Sequence, residues 1–190
     1  MPPQQSSYKS KEEEEKALKG VSDNIKKVME QNPELKKLGE HIHMQMTPEG
    51  LQISIVDRIK TAMFPSGSSR MYKQMDDILK AIATAIKDVP NAIDIAGHTD
   101  GAQYSPNAVF GNWELSTERA NASRRILEQN KVDDKRFKSV IGKADRDLLD
   151  KKYPTNPINR RVTITLLREF KDAPAAPNLA PQKKVWKTLK

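Results

Sequence analysis

Two periods of apolar residues alternate along this chain and divide it into segments. Within the charged stretch from residue 11 to 40, Leu18, Val21, Ile25 and Val28 fall at spacings of three and four, which predicts an amphipathic helix with a narrow apolar stripe. Pro33 predicts its end, and Glu34 to Glu40 a short second helix. From residue 42 the period drops to two. Ile42, Met44 and Met46, a turn at Pro48-Glu49-Gly50, then Leu51, Ile53 and Ile55 together predict a β-hairpin. The helical period returns over 71–89, where Met71, Met75, Ile78, Leu79, Ile82 and Ile86 share one face. Ile93 and Ile95 alternate in a strand ending at Gly97. The 15 residues from His98 to Asn112 then form a long connector, and length of that kind marks a functional loop. Asn112 is the expected N-cap of a helix reaching Gln129, with Glu114 in its first turn, where the macrodipole favours an anion. "FKSVIG" and "RVTITLLRE" supply two further strands. This order predicts an α+β domain with at least one right-handed crossover.

Composition sharpens the boundaries. With 36% apolar residues over 190 positions, one core is expected, and part of the chain packs into none. Residues 1–40 are expected to be an N-terminal linker and amphipathic helical segment, 41–170 the domain, and 171–190 a basic tail rich in Pro and Lys. The stripe in the first segment suits either a seam facing a partner or a surface docked on its own domain. Because it is narrow and precedes the domain, an assembly role is the working expectation, with its removal leaving a folded remainder. There is no cysteine, which removes disulfides, thiolate metal sites and cysteine nucleophiles. No run of 18 apolar residues occurs, and the first residues lack the apolar core of a secretory signal, so neither a membrane span nor a signal is expected within this sequence.

The net charge of +8 suggests a polyanion partner until the charge is located. Residues 151–190 hold 10 Lys and Arg against 2 Asp and Glu, which accounts for the whole excess; the preceding residues are nearly neutral. That distribution is unlike a domain built to track phosphates, and nucleic acid is not an expected partner.

The loop from His98 to Asn112 carries the candidate chemistry. Asp100 stands just past the strand and Arg119 about two turns into the helix that follows, so the loop folds between opposite charges. The two suit a structural salt bridge, or equally a receptor in which Asp100 accepts from an ammonium and Arg119 takes a carboxylate bidentately. A receptor pair predicts that Asp100→Asn and Arg119→Ala each remove binding while the melting temperature hardly moves. His41 and His43, two apart on a predicted strand, have no further ligand in view, so no metal site is expected. His98 and Asp100 resemble part of a hydrolytic triad without a nucleophile elbow, so neither catalysis nor a cofactor is expected.

Three blocks, "GHTD", "NWELSTERANASRR" and "NPINRRVTITL", resemble the T-D, N-x-x-L-S-x-x-R-A and N-R-R signatures of the OmpA-like peptidoglycan-binding domain, over about residues 41 to 170. Within that superfamily "NPELKKLGEHIHMQMTPEGLQISIVD", "MFPSGSS" and the tryptophan of "NWELS" are similar to the MotB-like stator subunits of the flagellar motor. The resemblance implies a mixed sheet with helices packed on one face, plus an N-terminal helical segment. It implies non-catalytic binding of peptidoglycan, with Asp100 and Arg119 gripping the zwitterionic end of diaminopimelate. Thr99, Asn112, Leu115 and Ser116 are then pocket-forming positions, and Asn159 and Arg160 rim or support residues. The loop between the first two blocks is longer than in compact OmpA-like domains, which leaves the ligand as either stem peptide or muramyl sugar. The resemblance further implies a homodimer and a MotA-like stator partner, reached through a membrane segment absent from this chain. On that reading the sequence is the periplasmic part of an inner-membrane protein, anchoring the stator so that ion-driven torque has a fixed frame.

Overall fold

A computed structural model describes residues 7–105 and 107–170; the proposed tail at 171–190 lies outside the described residues. Helix α1 (Lys11–Gln31) starts at Ser10, whose hydroxyl accepts from the Glu13 amide, and Glu12, Glu13 and Glu14 place negative charge at its positive end. Pro33 stops it as expected. Asn32 accepts from the amides of Glu34 and Leu35 and starts α2 (Pro33–Lys36), with proline at the first position, where a missing N–H costs nothing. The predicted second helix is shorter than its pattern and passes into a 3-10 turn at Gly39–His41.

Strands β1 (Ile42–Met46) and β2 (Gly50–Val56) form the predicted antiparallel hairpin. Helix α3 (Lys73–Ile86) and strand β3 (Ile93–His98) follow. Next come α4 (Asn112–Gln129), β4 (Phe137–Gly142) and β5 (Arg161–Leu167). Asn112 is the first helical residue rather than the cap. Its side chain is drawn off to the Ala102 carbonyl at 2.9 Å, and Gly111 holds the cap position, donating its amide to Glu114 Oε2 at 2.9 Å.

The five strands make one mixed sheet in the order β1-β2-β5-β3-β4. β3 and β4 are parallel, with α4 as the crossover between them; the other pairings are antiparallel. The last strand in sequence therefore lies in the middle of the sheet. Leu51, Ile53, Ile55, Ile93, Ile95, Val162, Ile164 and Leu166 turn to the helices and are buried with them, while Gln52, Ser54, Asp94 and Thr165 turn to the opposite face.

The stripe of α1 is not left for a partner. Leu18, Val21, Ile25 and Met29 are buried in the same cluster as Ile78, Leu79 and Ile82 of α3, with Val28 only partly covered. Removing α1 would uncover this core, so the remainder is expected to lose stability. A polar clamp reinforces the docking. Glu14, fully buried, accepts from Asn91 Nδ2 at 3.0 Å and from the backbone amides of Glu169 at 2.6 Å and Phe170 at 3.1 Å. Glu14→Ala strands these three donors and is expected to cost about 2–4 kcal/mol. Denaturant unfolding of the variant beside the native chain measures the loss.

Candidate functional site

The chain leaves β3 at His98 and turns over the carboxyl end of the sheet. Thr99 donates its amide to the Ala144 carbonyl at 2.9 Å, and Gly101 donates to Pro154 at 2.8 Å, so this stretch of the loop is pinned at two points. Gly97 is required one step earlier: a Cβ there would lie 1.9 Å from the Ser116 carbonyl oxygen, so α4 rests directly on the backbone of β3. The close approach sets the beginning of α4 beside the end of the strand. A cleft of about 440 Å³ opens there, walled by residues 62–67 on one side and 99–104 on the other, with Asn112, Leu115, Arg119 and Arg160 closing it.

Asp100 and Arg119 both line this cleft, and no salt bridge joins them among the described residues. Arg119 is 2% exposed and donates Nε to the Ser68 carbonyl at 2.9 Å and Nη2 to Pro65 at 3.2 Å. Its guanidinium also sits over the Phe64 ring, 4.7 Å from the centroid. Burial lowers its pKa, partly opposed by Asp57 and Asp100, yet a guanidinium stays charged in such a setting. Carbonyls and a ring thus hold the cation in place without neutralising it. Nη1 has no protein hydrogen-bond partner among the described residues.

Asp100 accepts from Ala102 N through Oδ1 at 3.1 Å and from Arg160 Nη1 through Oδ2 at 2.7 Å. Arg160 also donates Nε to Asp57 Oδ2 at 2.8 Å. Burial works to lower the Arg160 pKa, but the hydrogen bonds to the two carboxylates outweigh it and the net shift is upward.

The remaining sequence-derived positions divide in two. Thr99, Asn112 and Leu115 line the cleft, and the Thr99 hydroxyl is buried without a hydrogen-bond partner among the described residues. Ser116 and Asn159 lie outside the lining. Ser116 accepts from Ala144 N at 3.0 Å and donates to the Trp113 carbonyl, tying α4 to the turn after β4. Fully buried Asn159 accepts from Asp150 N at 2.8 Å and donates to the carbonyls of Asp150, Tyr153 and Pro154. It shapes the segment on which Gly101 rests. Asp57, Phe64 and Tyr104 are not named from the sequence. Asp57 and Phe64 fall in the stretches "NPELKKLGEHIHMQMTPEGLQISIVD" and "MFPSGSS" that carry the family likeness and Tyr104 in the long loop, but only the fold brings them to the site.

The weaker candidates separate. His41 lies in the turn before β1, with Nδ1 2.8 Å from the Val56 carbonyl, while His43 Nε2 lies 3.4 Å from Arg58 Nη2, so the two do not converge. His98 faces the open side of the sheet and has no contact with Asp100; its nearest carboxylate is Asp147, 3.9 Å away. Burial first, then the Arg161 charge, depresses its pKa from 6.5 to about 3. The native state keeps His98 neutral where the unfolded chain already binds a proton, so stability is full above about pH 6.5 and declines as the pH falls towards 3. The slope is up to about 1.4 kcal/mol per pH unit in that window. Unfolding free energies at pH 7 and 4.5 should differ by about 2–3 kcal/mol less in His98→Gln than in the native chain.

The OmpA family model matches residues 63–161. Motility protein B of Escherichia coli K12 is 36% identical over 157 residues, covering 82% of this chain and 51% of that protein. The chain thus spans about half the length of that relative. Among solved structures, the cell wall anchor of the T6SS from Pseudomonas aeruginosa superposes with a TM-score of 0.58 at 22% identity, over 80% of this chain and 97% of that one. The periplasmic domain of Helicobacter pylori MotB superposes with a TM-score of 0.57 at 18% identity, over 67% and 89%. These likenesses show the fold.

Proposed function

The chain belongs to the OmpA family, and from that premise we propose that its cleft binds cell-wall peptidoglycan without catalysis, at the amino-carboxylate end of diaminopimelate in the stem peptide. One observation carries the reading: Asp100 and Arg119 face a single half-enclosed cleft as separate opposite charges, each oriented by other protein groups. Asp100 receives the ammonium. The free Nη1 edge of Arg119 donates to the carboxylate, and the apolar walls of Phe64 and Leu115 cover the aliphatic stem between them. Thr99 offers a further hydroxyl.

The similarity to motility protein B supports placing this domain in the flagellar motor, as the periplasmic anchor of a stator subunit working as a homodimer with a MotA-like partner. No described helix is long and apolar enough to cross a membrane. Attachment to the inner membrane is part of the proposal.

Charge and cleft lie in different parts of the chain, which gives the test. Residues 171–190 hold 5 Lys and 1 Asp, a net +4, which is half of the total +8. Co-sedimentation with purified sacculi is expected to survive truncation after Phe170 within a few-fold, and to weaken only modestly with salt, because a recessed pair is screened less than surface charge. Binding that needs the tail and disappears in salt would instead mark a polyanion binder, whose log-log salt slope grows by about 0.9 per phosphate contact.

A further inference from the structure

Asp57 does not line the cleft and is 2% exposed on its side chain, yet it is joined to both sides of it. Oδ2 takes Arg160 Nε at 2.8 Å, and Oδ1 accepts the amide of Met63 at 2.7 Å, where the wall carrying Phe64 begins. Arg160 then reaches on to Asp100 at 2.7 Å. Carboxylate, guanidinium and carboxylate form a row with formal charge −1. Were Arg160 paired with Asp100 alone, the two would sum to zero and attract a second cation weakly. Sharing the guanidinium between two acids leaves one negative charge, and the end of the row that faces the cleft is Asp100. Arg119 supplies one positive charge held, among the described residues, only by carbonyls and a ring. The cleft is therefore balanced, with its two charges apart.

We propose that Asp57 is a positioning residue that sets the ligand specificity of the cleft: by dividing the charge of Arg160, it keeps Asp100 able to hold an ammonium group. Through Met63 it fastens the opposite wall to the same anchor. The inference rests on the reading that the cleft takes the amino-carboxylate end of diaminopimelate.

The probes are the tripeptide L-Ala–γ-D-Glu–diaminopimelate and the same tripeptide with its free side-chain amine acetylated, titrated into the full chain. The native protein is expected to prefer the free amine by tenfold or more. Asp57→Asn should lose most of that preference by weakening the free-amine complex while the affinity for the acetylated peptide stays within about threefold. The substitution also places a side-chain amide beside Arg160 Nε, so lowered stability alone could mimic a loss. The acetylated peptide is the control for this, since a loosened cleft weakens both peptides alike, and Asp57→Glu, which keeps the charge while disturbing the same packing, should retain the preference. A purely structural role predicts that Asp57→Glu and Asp57→Asn each weaken both peptides alike. Equal weakening of both peptides by Asp57→Asn, or loss of the preference in Asp57→Glu, overturns the role of Asp57. A native protein that binds both peptides alike overturns the diaminopimelate reading itself, and the inference with it.

Discussion

Asp100→Asn is expected to abolish sacculus co-sedimentation, a loss of about 2–5 kcal/mol for one member of a desolvated charge pair, or roughly thirtyfold and more in affinity. The fold should tolerate the change. Asparagine keeps an oxygen for the Ala102 amide, and Arg160 keeps its bond to Asp57, so the melting temperature stays near native while binding goes. Arg119→Ala does not share that separation. The side chain holds the carbonyls of Ser68 and Pro65 and covers Phe64, so its removal loosens the cleft wall as well as the ligand contact. Both stability and binding should fall, so the two substitutions are not expected to behave alike. Calorimetric melts beside binding isotherms separate them. An Asp100→Asn protein that binds sacculi as the native chain does would remove the cleft from consideration.

Gly97→Ala is expected to cost about 3 kcal/mol or more, since the new methyl meets the Ser116 carbonyl oxygen at 1.9 Å and a backbone atom cannot rotate away. The only relief is to lift α4 from the sheet. Asn112, Leu115 and Arg119 ride on that helix, so binding should weaken along with the melting temperature, which for a chain of this size falls by roughly 2–4 °C per kcal/mol. Gly142→Ala, on the neighbouring strand, brings its methyl to 2.2 Å from Thr117 Oγ1 and 2.7 Å from the Thr117 amide. A similar but smaller effect follows: the Thr117 hydroxyl can turn aside, while the Thr117 amide cannot, but at 2.7 Å it stands farther off than the carbonyl that Gly97→Ala would meet. If Gly97→Ala melts and binds as the native chain does, the close contact between α4 and β3 is not what sets the cleft.

Local patterns were legible wherever one face of an element met the core. The period of two gave β1 and β2 because Leu51, Ile53 and Ile55 all point inward, and the period of 3.6 gave α3 because one whole face is buried. The cap of α4 lies one residue before the position that the sequence favours. Asn112 is a good cap in isolation, but its amide finds a carbonyl ten residues earlier in sequence, and that preference exists only once the loop has folded. The stripe of α1 shows the same limit from another side. Spacing reveals that Leu18, Val21 and Ile25 seek an apolar surface; it carries no information about which one.

The element types, the opposed charges of Asp100 and Arg119 around one loop, and the family through its three spaced blocks could all be read from the order of residues, because each depends on positions close together along the chain. Which groups hold those charges is decided in three dimensions. Whether Asp100 pairs with Arg119 is a question about distance, and β5, entering the middle of the sheet beside β3, answers it by delivering Arg160 to Asp100 from 60 positions away. Asp57 joins the same row from 103 positions away. Coulomb and hydrogen-bond energies act between neighbours in space, whereas periodicity and spacing report neighbours in sequence. Arg119 could therefore be named from the sequence, but its freedom from a salt bridge could be learned only from the fold.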